Sequence, residues 1–257
     1  GMTALDASSG FRVGFDLAAS DCTSIFTRFT RWDGDTADSI TATPGNVLNS
    51  TIIHPSTATT GANSQIATAL QEQNFQVIDM GYRHLWRRTP CTTLNWSTGL
   101  RYSNMEQMLS VDQTVAVATG LTNVTTDIDF HGFGFFGGLD FERYSSETGF
   151  SIYGKGTGSL MAGEWKASYT QTNQFGGGVI RNDYEDFHAT PVIEAELGIA
   201  WAACGGHLRL HSGLMMSGWY DAVSTRSYVS GVRSGQLTNV GETMTFSGLV
   251  AGATWRF

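Results

Sequence analysis

Apolar and polar residues alternate with a period of two along most of the chain, the pattern of a strand showing different faces to two environments. Phe11, Val13, Phe15 and Leu17 alternate with Arg12, Gly14, Asp16 and Ala18, and Ile78, Met80, Tyr82 and Trp86 with Asp79, Gly81 and Arg83. Leu94, Trp96, Leu100 and Tyr102 alternate with Asn95, Ser97, Gly99 and Arg101. The same period runs through residues 191–201, 208–216 and 249–257. A helix would put both residue types on one face, so the pattern excludes helix for most of the length.

Nine strands are expected, approximately over residues 10–20, 24–36, 73–89, 92–110, 125–144, 149–172, 186–203, 207–223 and 243–257. Their links alternate in length. Tight turns fall at Asp21-Cys22-Thr23, Pro90-Cys91, Ser145-Ser146-Glu147-Thr148 and Cys204-Gly205-Gly206, and long polar links at 37–72, 111–124, 173–185 and 224–242. Short turns at one end and long loops at the other describe an up-and-down meander of the kind seen in transmembrane β-barrels. Residues 1–9 read as a leader or linker remnant and 10–257 as one barrel domain.

Composition decides which face meets lipid. Charged residues are 15% of the 257, lysine is nearly absent (Lys155 and Lys166), and there are 31 glycines. A solvated barrel would carry dense Lys and Glu on its polar face. The polar faces here carry small hydrogen-bonding residues with scattered charges, which suits a lumen and leaves the apolar faces to lipid. Trp32, Trp86, Trp96, Tyr144, Trp201, Trp219, Tyr220 and Trp255 fall near strand ends, where interfacial girdles belong. The net charge of −8 argues against nucleic-acid binding, and no apolar run approaches the roughly 20 residues of a spanning helix.

Gly10-Phe11-Arg12-Val13-Gly14, the block His131-Gly132-Phe133-Gly134-Phe135-Phe136-Gly137-Gly138, Phe150-Ser151-Ile152-Tyr153-Gly154-Lys155-Gly156 and Pro191-Val192-Ile193-Glu194-Ala195-Glu196-Leu197-Gly198 carry a family likeness. With these segments the chain resembles the Legionella-type pore-forming outer-membrane protein family, also encountered in planctomycete-like bacteria. The resemblance implies a bacterial outer-membrane barrel acting as a porin. Such proteins have a signal peptide and an earlier strand upstream. Strand parity leaves two alternatives, a strand upstream or one more strand within 37–72 or 224–242, because both termini of a single-chain barrel are periplasmic only for an even count; the first is favoured. The expected architecture is therefore an all-β, antiparallel up-and-down transmembrane barrel of about ten strands, nine of them in this chain, with an upstream strand or domain as a partner.

The expected pore lining is the inward polar set: Arg12, Asp16, Asp79, Arg83, Arg87, Arg101, Asp140, Glu142, Lys155, Glu194, Glu196, Arg209, His211 and Arg256. Charged groups across a narrow pore set its ion preference, whereas pairing of these groups across the bore would plug a small barrel. Cys22 and Cys91 lie in neighbouring turns, so a disulfide between them and free thiols are both open, with Cys204 left over.

No cofactor, metal site or enzyme signature is expected. His207 and His211 would stand roughly 13 Å apart on a strand, too far to share an ion. Asp33-Gly34-Asp35-Thr36-Ala37-Asp38 lacks the full calcium-loop spacing and reads as a solvated acidic loop. Gly154-Lys155-Gly156-Thr157-Gly158 lies in an alternating strand with no helix to receive phosphate. Three functions remain: a porin passing small polar solutes or ions, a structural or adhesive surface protein anchored by a plugged barrel, and a soluble barrel binding an apolar ligand. The first two have outer-membrane lipid as partner, and a homo-oligomer is open.

Overall fold

The computed structural model describes residues 8–44, 46, 48–55, 63–115, 121–145, 148–173, 178–203, 207–238 and 240–255. Arg256, Phe257 and Cys204 lie outside them. Its elements in chain order are β1 (Gly10–Ser20), β2 (Thr23–Thr41), β3 (Leu48–Asn49), β4 (Asn63–Arg88), β5 (Thr92–Val115), β6 (Leu121–Tyr144), β7 (Phe150–Asn173), β8 (Val179–Ala203), β9 (Leu208–Val223), α1 (Thr225–Ser234) and β10 (Gly241–Trp255).

Nine strands pair antiparallel with their sequence neighbours in one meander, and two-residue β3 pairs with β4. The sheet curls into a half-barrel. Its margins approach closely enough for Arg12 of β1 to reach Met215 of β9, and for Trp32 of β2 to sit edge-on to Phe246 of β10 at 5.8 Å. Because the strand number is odd, β1 and β10 run parallel to each other, and among the described residues they do not pair. No helix among the described residues is long and apolar enough to cross a membrane.

The tight turns at Asp21-Cys22 and Pro90-Cys91 fall where expected, and Cys204-Gly205-Gly206 lies outside the described residues. The long links do not fall where expected. Residues 63–72 and 111–115, read as loop, continue β4 and β5, and residues 121–124 and 179–185 extend β6 and β8. Their outward positions become mostly polar, with Ile66, Leu70, Leu121 and Val179 as exceptions, so the periodic signal fades although the hydrogen-bond ladder runs on. The remaining link, 224–242, holds α1. Ser224 caps it by accepting from the Ser227 amide, while the Ser227 hydroxyl accepts from the Ser224 amide; Gly235 ends it in the left-handed region at φ 68°.

Cys22 and Cys91 are free thiols, so the disulfide alternative is corrected. The carbonyl of Cys22 accepts from the amide of Leu85 on β4, and that of Cys91 accepts from Tyr144 on β6. Their turns therefore stand two strand spacings apart, roughly 10 Å, beyond the reach of about 7 Å that a disulfide allows.

Candidate pore interior

The convex face carries an apolar belt. It includes the row Leu94, Phe141, Gly154, Leu197, Leu214 and Leu249, in which each residue stands directly opposite the next, and the row Met80, Leu100, Phe135, Leu160 and Pro191. Phe135 is 70% exposed and Leu249 84%. On β4 the belt covers residues 78–86, on β5 94–102 and on β6 133–141, close to the 9–11 residues with which a tilted strand crosses the hydrocarbon. Tyr82, His84 and Trp96 cluster near its turn-end margin, with Trp86 exposed beside them.

Above the belt the same outward positions become Asp33, Asn74, Glu106, Asp129, Lys166 and Glu185. Here Asp129 is held above the ordinary carboxylate range, first by partial burial and then by Glu106 and Asp127. The Asp33 segment is strand rather than loop, and Asp33 pairs with Arg31 at 2.9 Å.

The belt makes a quantitative prediction. Leu214→Arg, midway along the belt part of β9, is expected to lower folding stability by about 2–4 kcal/mol in lipid. Asp127→Arg, outside the belt, should change it by less than ~0.5 kcal/mol. Urea titrations of the two variants in liposomes measure both, and equal losses would refute the assignment of the convex face to lipid.

The concave face at belt level is polar and charged. Arg101 on β5 binds Asp79 of β4 through Nε at 2.6 Å and Nη2 at 3.1 Å, reaches Glu194 of β8 at 2.6 Å, and donates to Ser159 at 3.3 Å. Its side chain is only 4% exposed. Glu196 is shared by Arg12 and Lys155, each at 3.2 Å. Arg83 lies 3.2 Å from both Asp16 and Asp140, and Arg209 lies 3.1 Å from Glu142. His211 faces inward edge-on to Tyr153. Several of these pairs cross between strands that are not neighbours in the sheet, because the curl brings their inner faces together.

Toward the long-strand end the interior becomes apolar. Phe75, Phe130, Trp165, Trp219 and Phe246 form an aromatic layer, with Phe130 stacked on Trp165 at 4.4 Å and Phe75 edge-on to Trp219 at 5.2 Å. Glycine is required beneath it, since a Cβ on Gly163 would lie 2.6 Å from the Phe130 ring. Over this layer sit two inserts. Residues 50–55 are held by the Tyr169 hydroxyl donating to the Ile52 carbonyl and by the His54 amide donating to Gln171, each at 2.8 Å. The other insert is α1, whose Tyr228 is fully buried.

Several expectations are corrected by this arrangement. Trp32, Tyr144 and Trp219 belong to the interior rather than to a lipid girdle. Trp32 packs on Phe246, Trp219 is completely buried, and the Tyr144 hydroxyl donates to Glu142 at 3.0 Å. Arg87 does not face the bore. The ladder slips between Leu85 and Arg87, which sets Arg87 opposite Leu94 in an outward row. One inward charged side chain was missed: Arg28 on β2 stands in register with Asp79 and so faces inward. Strand β2 places Phe26 beside Arg28 on its inner face and Phe29 on its outer one, so its two faces are not distinguished by hydropathy.

A family model, described as Legionella pneumophila major outer membrane protein precursor, matches residues 3–257. The chain belongs to the Legionella major outer membrane protein family. No curated protein matches it. Membership places the protein in the bacterial outer membrane, where the apolar belt meets lipid. In a member of this family the charged concave face lies at the depth of the hydrocarbon, so Arg101, Glu196 and their partners are intramembrane ionisable groups shielded by the sheet.

Proposed function

We propose that the protein is an outer-membrane pore for small ions, narrow and closed at rest, without catalysis. The observation that carries this reading is the density of charge on the concave face at belt level. Ionisable groups at membrane depth are costly and ordinarily functional. Well-packed apolar residues can replace buried ion pairs with no loss of stability, so an anchor alone has no need of them. Shared pairs such as Arg12–Glu196–Lys155 can exchange partners, which would let ions pass between them.

A second reading is favoured by the filled mouth. Residues 50–55, α1 and the aromatic layer occupy the interior above the charges, as they would in a plugged barrel serving as a surface anchor. Planar-bilayer recording on the detergent-purified full-length protein separates the two. Stepwise currents are expected, with Glu196→Gln shifting the reversal potential in a KCl gradient toward anions, because Arg12 and Lys155 lose their shared carboxylate. Insertion without current would overturn the pore and leave the anchor.

A further inference from the structure

The inward cations Arg12, Arg83, Arg101, Lys155 and Arg209 all have carboxylate partners within 3.2 Å. Arg28 has no carboxylate within ion-pair distance among the described residues. The register shows why. Asp79 stands directly opposite Arg28 on one side and Arg101 on the other, and both of its oxygens are bound by Arg101. What Arg28 touches instead is the Phe26 ring, 5.4 Å from its guanidinium carbon, and that ring also carries Arg83 at 4.9 Å. Cation–π contact with a ring shared by two guanidinium groups neutralises neither.

Arg28 also lines a half-open cavity of about 40 Å³ on the concave face. Around that cavity four cations (Arg12, Arg28, Arg101 and Lys155) meet three carboxylates (Asp79, Glu194 and Glu196). Each carboxylate is already ion-paired, and Glu196 serves two cations. Among the residues that line the cavity, cations therefore outnumber carboxylates by one. The cavity's volume holds a few waters or one small anion.

We propose that this cavity is a binding site for a small inorganic anion of the halide class, with Arg28 as its principal ligand. Bound there, the anion supplies the countercharge that Asp79 gives to Arg101. That the site lies on the route of ions rests on the pore reading; the site itself does not.

The test is thermal unfolding of the detergent-solubilised full-length protein in sodium bromide and in sodium gluconate at equal ionic strength. Bromide at ten times its Kd is expected to raise the wild-type Tm by about 3–5 °C. Arg28→Met should abolish that shift and should melt above wild type in gluconate, because it removes an uncompensated charge. Arg28→Lys should keep part of the shift. An Arg28→Met protein that melts below wild type in gluconate reveals a structural role and overturns the proposal. So does a bromide shift that survives in it, or a wild type with no shift at all. Current recordings are judged separately: absence of current refutes the pore, and the bromide shift still decides the site.

Discussion

Arg101→Met is expected to lower folding stability by about 3–5 kcal/mol, the loss that follows when one partner of a buried ion pair is removed. Two carboxylates depend on this guanidinium. Asp79 is almost wholly buried and receives two of its hydrogen bonds, and Glu194 lies 2.6 Å from it. Without Arg101 both must stay charged without a partner or take up protons. Arg101→Lys should rescue little, since an ammonium cannot form the two-pronged contact with Asp79 and still reach Glu194. Adding Asp79→Leu and Glu194→Leu to Arg101→Met should recover most of the loss, because an apolar cluster of similar volume has no charge to strand. Urea unfolding of the three proteins in lipid measures these differences. A single variant within about 1 kcal/mol of wild type would show that the triad is solvated and not part of a sealed interior.

How far this interior could be read from the sequence depended on whether two faces differed. On β4, β5 and β8 the outward rows are apolar and the inward rows are polar, so alternation identified Asp79, Arg101, Glu194 and Glu196 as inward. Where both faces carry aromatics the rule has nothing to act on, and Arg28 escaped for that reason. It also fails at a bulge: one slipped residue after Leu85 reverses the face of Arg87. Trp32 and Trp219 look like girdle residues because tryptophan suits both an interface and an apolar core. Only the curl of the sheet, which brings Phe75, Phe130 and Phe246 against them, decides between the two. Helix α1 did have a local signature in Ser224, Ser227 and Gly235. It is short and surrounded by polar residues, so it passed as loop.

Tyr228→Ala is expected to release α1 from the mouth. A ten-residue helix is marginal in water, so α1 persists because tertiary contacts hold it. The Tyr228 hydroxyl donates to the carbonyls of Ala167 and Asn182 at 3.1 and 2.8 Å, and burial keeps that hydroxyl protonated by pushing its pKa up. Gln107 on β5 fixes the start of the helix by donating to the Val223 carbonyl at 2.9 Å and accepting from the amide and hydroxyl of Thr225, each at 3.3 Å. Truncating a buried aromatic to alanine costs about 3–5 kcal/mol. If the loss falls on local opening, the open population rises by roughly 10²-fold or more. Val229→Cys in a background with Cys22, Cys91 and Cys204 changed to serine provides the readout, since Val229 is buried beneath the helix. Maleimide labelling of that cysteine in micelles should accelerate by the same factor when Tyr228→Ala is added. Under the pore reading, bilayer currents should rise with the labelling rate, because the aromatic layer behind the helix becomes accessible to water. Faster labelling with unchanged current would locate the closing barrier at Trp219 and Phe130 rather than at α1. Unchanged labelling would show that residues 50–55 and the flanking chain hold the mouth without Tyr228.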